Sequence, residues 1–447
     1  MKLRKFSTMT TAIALLAISS HAMADEPDGS VPAMAEGLQK NPLNEMTKKV
    51  SDALGIKLWG YGRGGFYAAA GGQPKGGYSL GGDLQKYRLG NEGDNYLEFG
   101  IGKVFDLGGG MKWGTYYMPK VYNGDSGTAQ AYTEISGLSF APELSFWAGQ
   151  RYHRIQDIHI VDNWLMEDGD NYGAGVDGFG LGGGAKLNVA LHTQGNADNH
   201  NSDTNNGRRF NFQVVDIPVN PGGKLSVTGA LISGKFAQGK DGGALGLLHN
   251  QKDFLVNGLT NSVFVQASTG HASINGKFYN LDTAATAPSL VQDSLGTVTL
   301  VPGTPAGPRP GAQQRRIVEV MNWQVGKLGG QALLGYQTIR PDGGSTQKDL
   351  SVGGRVSYGI ARNTKLLGEI GTTARKIEGQ ESQRLSKYTA AVAFSPNTDF
   401  WNRPEFRVYA TRATWNDAAA AANSGSFGRD GRTHATMFGV QMEAWWE

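Results

Sequence analysis

The stretch from Phe438 to Trp446 reads FGVQMEAWW and decides the fold. Apolar residues occupy every second position, and Gly, Gln, Glu and Trp445 lie between them. Because successive side chains of a β-strand point to opposite faces, this stretch predicts a strand with one apolar and one polar face. The wall of a membrane β-barrel needs such strands, since one face meets lipid and the other meets a wet lumen.

The same two-residue period recurs from Leu58 onward. It is clear in residues 97–101, 225–231 and 406–410. A soluble β-sandwich also alternates, but its strands are usually shorter and its apolar faces pack inward. At about 22 residues per strand and connection, residues 56–447 predict an all-β antiparallel barrel of roughly 18 strands, with sixteen as the alternative.

The composition agrees with a barrel and argues against other classes. Of 447 residues, 66 are Gly and none is Cys, and only 39% belong to the hydrophobic set. Gly without a G-X-Y period excludes collagen, and Gly in nearly every segment argues against a helical bundle. An aromatic fraction of 10% argues against disorder. A wet lumen explains the low hydrophobicity, and turns and crowded inward positions accept Gly.

Residues 1–24 predict a secretory signal of bacterial type that is removed. A basic start is followed by the apolar stretch 10–19 and by Ala22-Met23-Ala24, an A-x-A cleavage site. The apolar stretch is too short for a transmembrane anchor, which needs about 20 residues. Removal takes away three basic residues and brings the net charge from +3 to zero. The charge of the mature chain therefore gives no argument for a nucleic-acid partner.

Residues 25–55 predict a short segment outside the barrel that contains a helix. Asn41 and Pro42 are typical of a helix start, and Gly55 is typical of a C-cap. One face of the helix is apolar and consists of Leu43, Met46, Val50 and Leu54. The helix is either a tether that packs on the barrel or an appendage that self-associates.

Two long polar stretches interrupt the alternation. Gln194 to Arg209 is predicted to be a polar loop, and Tyr279 to Arg316 is rich in Pro, Gly and Thr and has no usable period. Loops of this length are unusual in compact soluble domains but normal on one side of outer-membrane barrels. After the signal, no stretch approaches the roughly 18 apolar residues of a helical membrane span.

Six stretches, in order, resemble the maltoporin family of sugar-specific outer-membrane porins. They are KYRLGNE (86–92), WAGQRY (147–152), VNPGGKL (219–225), WNRPEFRVYAT (401–411), GSFGR (425–429) and QMEAWW (441–446). The resemblance is weakest between about residues 235 and 350. It implies an 18-stranded transmembrane barrel, a homotrimer, a lumen narrowed by an inward-folded third loop, and passive carbohydrate transport across the outer membrane of a Gram-negative bacterium.

In that family, sugars pass along a line of aromatic rings, the greasy slide, faced by ionisable residues. Aromatic planes stack on the apolar faces of sugar rings, and charged groups bind their hydroxyls. The residues that match slide positions are Tyr61, Tyr96, Trp401 and Trp445. The residues that match the charged track are Arg63, Arg88, Glu98, Asp157 and Asp162. Trp164 stands where the family usually has a tyrosine, and we expect it to bind substrate as well.

Each of these assignments has an alternative. Aromatic residues of a barrel can belong to the girdle at the membrane surface, which we expect of Phe438 and Trp446 on the apolar face. The charged residues can form a ladder that screens ions without recognising sugar. His159 alternates with Asp157, and we expect it to be structural, because a lone His is more often structural than a ligand or a base.

Several positions depart from the family pattern and predict a wider or chemically altered constriction. Thr133 and Ile155 stand where the narrow point carries arginines, although Arg154 could replace one of them. His249 aligns with a Phe of the slide. Residues 117–130 contain no Trp to donate to a neighbouring subunit. Sugar passage is still expected, but these departures leave the specificity for maltodextrin open.

Four functions compete: a carbohydrate channel, a general or ion-selective porin on the same barrel, an outer-membrane hydrolase, and a secreted sugar-binding sandwich. A hydrolase needs an activated nucleophile or a metal cluster, but the sequence has no H-E-x-x-H motif and its eight His are dispersed. A secreted sugar-binding sandwich would not end in the lipid-facing pattern that reaches Trp446. We predict a channel with no cofactor, no metal and no enzymatic activity, whose partners are oligosaccharides, outer-membrane lipid and further copies of the chain.

Overall fold

The fold comes from a computed structural model of the chain. It describes residues 42–70, 77–168, 172–193, 205–236, 241–272, 289–292, 298–301, 312–341, 344–428 and 430–447. The predicted signal, residues 1–24, and the first part of the N-terminal segment, residues 25–41, lie outside these residues.

The described chain is built almost wholly of strands. The strands are β1 (Lys57–Ala69), β2 (Tyr96–Gly108), β3 (Met111–Tyr122), β4 (Asp125–Leu138), β5 (Ala141–Gln150), β6 (His153–Ile158), β7 (Asn163–Asp168), β8 (Tyr172–Gly182), β9 (Ala185–Thr193), β10 (Asn205–Asn220), β11 (Gly223–Phe236), β12 (Gly242–Gln251), β13 (Leu259–Thr269), β14 (Ser289–Gln292), β15 (Val298–Val301), β16 (Gln313–Val325), β17 (Leu328–Arg340), β18 (Gln347–Ala361), β19 (Thr364–Ile377), β20 (Gln383–Phe394), β21 (Glu405–Trp415) and β22 (His434–Trp446). The helices are α1 (Pro42–Leu54), α2 (Asp417–Ala422) and α3 (Ser424–Phe427).

Eighteen of these strands form one antiparallel sheet, which closes on itself where β1 pairs with β22. The remaining strands make two separate hairpins, β6 with β7 and β14 with β15. A closed sheet leaves no unpaired edge, as a membrane-spanning sheet requires. The predicted all-β barrel of about 18 strands is confirmed.

The two faces of the wall have the predicted polarity. In β22, Phe438 and Met442 expose 53% and 51% of their surface on the outer side. Glu443, between Met442 and Ala444, is fully buried on the inner side. An apolar outer wall of this kind is what lipid covers in a membrane barrel.

The two ends of the barrel carry different connections. At the end that holds α1 and the C-terminus, β2 and β3, β16 and β17, and β18 and β19 are each joined by two residues. The longest connections, residues 70–95, 151–171 and 270–312, lie at the other end. The connection within residues 117–130 is reduced to the turn Asn123-Gly124 between β3 and β4. This asymmetry is the one predicted for an outer-membrane barrel.

The two predicted loops are shorter than expected. β10 already begins at Asn205, so the loop that starts at Gln194 does not extend to Arg209. Within residues 279–316, β14 and β15 form a hairpin and β16 begins at Gln313. In β10 the buried Arg209 alternates with the outward Phe210, because a polar residue is compatible with a strand when it faces the lumen.

α1 confirms the predicted helix and contacts β1 and β22. Gly55 has a φ of 61° and ends the helix, and Lys103 of β2 donates to its carbonyl at 2.5 Å. Met46 and Leu54 remain more than half exposed. None of the helices in the described ranges is long and apolar enough to cross a membrane.

Two of the described segments fold into the lumen. The inward hairpin, residues 153–168, contains β6 and β7 and lies against β13 and β17, where Gln331 accepts a hydrogen bond from the Ile160 backbone at 2.9 Å. It belongs to the third connection at its end of the barrel, as predicted. The first inward segment, residues 77–92, lies against β18 to β21 and was not predicted. Thr389 of β20, for example, donates to the Leu89 carbonyl at 3.1 Å.

The ring of Tyr87 fixes the first inward segment in a slot between two glycines. A Cβ on Gly371 would lie 2.2 Å from the ring, and one on Gly353 would lie 2.4 Å from it. The Tyr87 hydroxyl lies 3.0 Å from Ser351 Oγ at the end of the slot. Only glycine therefore leaves room for the ring.

Gly371→Ala is expected to lower the free energy of unfolding by about 1–3 kcal/mol, the usual cost of overpacking. Denaturant titration of the refolded protein in lipid vesicles measures this change. Gly368→Ala, on the same strand, is the matched control, because its Cβ would lie 3.7 Å from the nearest atom. Equal unfolding curves for the two variants would contradict the claim that Gly371 is needed to make room for the Tyr87 ring.

Candidate functional site

Arg63, Arg88 and Asp162 of the predicted charged track meet in one ion-pair network inside the barrel. Asp162 of the inward hairpin lies 3.0 Å from Arg63 on β1 and 3.6 Å from Arg88 on the first inward segment. Lys86 Nζ lies 2.5 Å from both Asp162 and Glu92. Opposite charges therefore tie β1 to both inward segments.

Glu443 on β22 lies at the centre of this network. Its Oε1 accepts a hydrogen bond from the Tyr61 hydroxyl at 2.9 Å and lies 3.0 Å from Arg88 Nη2. Its Oε2 lies 3.0 Å from Arg403 Nη2 and also pairs with Arg407. Glu443 is fully buried and shares the compensation of these three guanidinium groups with Glu92 and Glu405.

Tyr61 and Tyr96 form the accessible part of the predicted slide. The two half-buried rings lie on neighbouring strands, with their centroids 6.0 Å apart. The Arg63 guanidinium carbon lies 5.5 Å from the Tyr96 centroid, and Arg88 donates to the Tyr61 hydroxyl at 2.6 Å. Two aromatic planes bordered by cations can contact both the apolar face and the hydroxyls of a sugar ring.

Glu98 lies beside this pair, and Trp164 lies on the inward hairpin. Glu98 accepts hydrogen bonds from the hydroxyls of Tyr96 and Tyr152, the latter at 2.9 Å. Arg154 of the inward hairpin stacks 3.5 Å from the Tyr152 centroid and lies 5.7 Å from the Trp164 ring centroid. Arg154 of the hairpin therefore lies between Trp164 and Tyr152, and Tyr152 shares the acceptor Glu98 with Tyr96.

Asp157 lies on the inward hairpin, paired across it with Trp164. Burial raises the pKa of Asp157 to about 7, although the attraction of Arg88 opposes the shift. The carboxylates of Asp162 and Glu443 raise the pKa further. A carboxyl group with this pKa changes its charge near neutral pH.

His159 is buried between two guanidinium groups. Its Nδ1 lies 3.4 Å from Arg88 Nη1, and its Nε2 lies 3.2 Å from Arg403 Nη2. Burial, with the repulsion of both arginines, holds the pKa of His159 well below its usual value despite the attraction of Glu443. A neutral ring packed in this way agrees with the structural role predicted for it.

Trp401 and Trp445 lie inside the barrel but are covered. They expose only 8% and 5% of their surface. The His159 ring lies 5.4 Å from the Trp401 centroid and 5.5 Å from the Trp445 centroid. Arg403 covers Trp445 at 4.0 Å. The structure differs here from the expected open slide, because the inward hairpin and Arg403 occupy the ring faces that a sugar would need.

Thr133 does not lie at the narrow point, contrary to the sequence prediction. Gln130 and Tyr132 of β4 are buried on the inner side, and alternation places Thr133 on the outer side, where it pairs with the exposed Ala148. Ile155 does lie inside and packs against the cluster that contains Trp401 and Trp445.

The predicted match of His249 to a slide Phe is also wrong. Leu248 is 2% exposed and packs inside the barrel, whereas Leu247, which shares the face of His249, is 43% exposed on the outer side. A shift of one residue moves a side chain to the other face of a strand. This shift falls in the region where the resemblance is weakest.

The residues that neutralise the charged track were not predicted from the sequence. Lys86 and Glu92 lie within KYRLGNE, and Arg403, Glu405 and Arg407 lie within WNRPEFR. Charged residues at alternate positions, such as Glu405 and Arg407 at the start of β21, were the available signal.

Residues 77–81 read GYSLG and match the G-x-S-x-G spacing of a hydrolase nucleophile. That motif works as a sharp turn from a strand into a helix. Residues 77–80 have no regular secondary structure, and the Ser79 hydroxyl accepts a hydrogen bond from the Gly81 backbone at 3.0 Å. The stretch is part of the first inward segment and is not a nucleophile elbow.

This barrel is similar to known proteins. Its sequence matches the family model described as LamB porin over residues 56–446. Among solved structures, it is similar to Vibrio cholerae OmpT lacking loop L8, with 10% identity, a TM-score of 0.44 and coverage of 88% of this chain and 99% of that chain. It is similar to an anion-selective porin from Comamonas acidovorans, with 11% identity, a TM-score of 0.43 and coverage of 87% and 99%. Similarity to Pseudomonas aeruginosa OprD has 8% identity, a TM-score of 0.45 and coverage of 87% and 94%.

The family match runs from the start of β1 to the end of β22 and so includes the whole wall. Together with the closed barrel, it points to a channel rather than an enzyme. The chain therefore belongs to the LamB porin family, the maltoporins, and is a channel of the Gram-negative outer membrane.

Proposed function

We propose that this channel passes oligosaccharides passively and selects them by aromatic stacking beside charged groups. The observation that carries the proposal is the half-buried pair of Tyr61 and Tyr96, 6.0 Å apart, with Arg63 at 5.5 Å from the Tyr96 ring. Shallow stacking sites suit transport, since a substrate must enter without being trapped. A channel for ions alone needs no such aromatic pair.

The charged residues have two proposed roles. Arg63, Asp157 and Asp162 bind sugar hydroxyls directly, and the Asp162 side chain is 30% exposed beside the rings. Arg88 and Glu98 are buried and act through the hydroxyls of Tyr61 and Tyr96, to which they are hydrogen-bonded.

The tryptophans contribute unequally in this proposal. Trp164 is half-buried on the inward hairpin and offers a stacking surface beside Arg154. Trp401 and Trp445 contribute only when the inward hairpin moves off them, because His159 packs on both rings. The slide in this conformation is therefore shorter than in the sequence prediction.

We further propose the organisation of the mature protein. Residues 1–24 are removed on export, residues 25–55 form a short periplasmic segment, and residues 56–447 form the transmembrane barrel. α1 supports this division, since it contacts β1 and β22 at the end with the short turns. Assembly as a homotrimer in outer-membrane lipid is proposed from the family resemblance.

Planar bilayers test the sugar proposal. Ion conductance of the purified protein is expected to fall when a suitable member of a panel of di- and trisaccharides is added. Tyr96→Ala should raise the dissociation constant of this block by about tenfold, the effect of losing one aromatic stacking contact. Tyr117→Ala is the matched control, because this tyrosine lies on the outer wall and is 49% exposed.

Two results would support the alternative, a general or ion-selective diffusion porin. One is conductance that no sugar of the panel changes. The other is a block that Tyr96→Ala and Tyr117→Ala leave equally strong.

A further inference from the structure

Arg316 on β16 contacts both inward segments at once. Its Nη1 lies 2.9 Å from Asp83 Oδ2 of the first inward segment. Its Nη2 donates to the Leu165 carbonyl of the inward hairpin at 2.9 Å. Its Nε donates to Gln266 Oε1 at 2.8 Å, and Gln266 donates to the same Leu165 carbonyl at 3.0 Å.

The rigid geometry of its guanidinium group lets Arg316 hold two groups at a fixed distance. Its N–H donors point in set directions within one plane, so the Asp83 carboxylate and the Leu165 carbonyl are held at a defined separation. The Arg316 side chain is fully buried, so no water competes for these bonds. Arg316 therefore couples the positions of two segments that are far apart in sequence.

We call these contacts of Arg316 with Asp83 and Leu165 the clamp. Both clamped residues lie near residues of the proposed sugar path. Leu165 directly follows Trp164 on β7, and Asp83 precedes Lys86, which pairs with Asp162 at 2.5 Å. A shift of the Leu165 backbone would carry Trp164 with it. A shift of the first inward segment would move Lys86 away from the hairpin.

We propose that Arg316 is a positioning residue that sets the width of the path by holding the inward hairpin and the first inward segment at a fixed separation. The clamp limits the flow of ions as well as sugars. It rests on the proposed function only in naming sugar as the substrate. Arg316 lies where the family resemblance is weakest, so the clamp is argued from the contacts of this chain alone.

Single-channel recording in KCl tests the clamp without sugar. Arg316→Met is expected to raise both the conductance and the noise of the open channel, because neither segment is then held. Asp83→Asn removes only the charge of one clamped group and should give a smaller change in the same direction. Arg315→Met is the matched control, since this neighbouring arginine is exposed on the outer face.

Sugar block gives a second readout. Arg316→Met should raise the dissociation constant of the block by about tenfold, as expected for a displaced set of contacts. Arg316→Lys keeps the positive charge opposite Asp83 but loses the planar set of N–H donors. Its dissociation constant for the block should therefore lie between those of the wild type and Arg316→Met. The double variant Arg316→Met with Asp83→Asn should have the same dissociation constant for the block as Arg316→Met alone, because both changes break the same clamp.

Wild-type conductance and noise in both Arg316→Met and Asp83→Asn would overturn the proposal. So would a loss of thermal stability in Arg316→Met with unchanged conductance, which would indicate a purely structural role. If Arg316→Met does not fold, the Asp83→Asn recording decides alone. Altered KCl conductance in a protein that no sugar blocks would support the clamp and contradict the proposed sugar transport.

Discussion

Glu443→Ala is expected to lower the free energy of unfolding by about 3–5 kcal/mol, the cost of removing one partner from a buried ion pair. Arg88, Arg403 and Arg407 all lose the same buried acid in this variant. The Tyr61 hydroxyl loses its acceptor as well. Denaturant titration of the refolded barrel in lipid vesicles measures the change.

Two further variants separate the effect of the Glu443 charge from that of losing any acid near β22. Glu443→Gln keeps the hydrogen-bonding shape without the charge and should lose a smaller part of the free energy. Glu447→Ala removes an exposed acid next to the same strand and should unfold like the wild type. An unfolding midpoint of Glu443→Ala at the wild-type value would show that the network does not stabilise the barrel.

Lys387→Met is expected to release the first inward segment from the wall. Lys387 Nζ donates to the carbonyls of Tyr78 and Tyr87 at 2.9 Å, and to that of Lys86. Met has a similar length but no donor. The carbonyls of Tyr78 and Lys86 keep a hydrogen bond from Asn91, whereas that of Tyr87 loses its donor, at a cost of about 1–3 kcal/mol. Trypsin should then cleave after Lys86 or Arg88 in the reconstituted protein.

Lys365→Met is the matched control for this experiment. Lys365 is equally buried on the neighbouring strand, but it donates to the Asp399 carbonyl at 2.7 Å and pairs with Glu405. Its loss should weaken the barrel while the first inward segment stays protected. The same cleavage pattern in both variants would mean that Lys387 has no special role in holding that segment.

The wall could be predicted from the sequence because each strand meets two different solvents. In β22, Phe438 and Met442 face lipid while Gln441 and Glu443 face the lumen. The sequence therefore alternates between apolar and polar residues along the strand. The position of α1 was predictable for a similar reason, since Pro42 and Gly55 mark its ends locally.

The arrangement of the lumen was predicted only in part. Motifs correctly indicated that Arg63, Arg88 and Asp162 lie inside the barrel, where the structure joins them in one network. The cover over Trp445 was not predictable, because it depends on contacts such as that of Arg403 with His159, which lie 244 positions apart. Thr133 and His249 failed for another reason, since strand parity is lost when an alignment shifts by one residue.

The site lies across the seam of the barrel, and this has a consequence for assembly. Tyr61 of the first strand is paired with Trp445 of the last, and the bond from Tyr61 to Glu443 spans 382 positions. Until the last strand docks, Tyr61 lacks its acceptor Glu443, and Arg88 has only Glu92 and Asp162 as acidic partners. Closure of the barrel and completion of the site are thus one event. A chain that has not yet paired its last strand with its first therefore lacks the complete site.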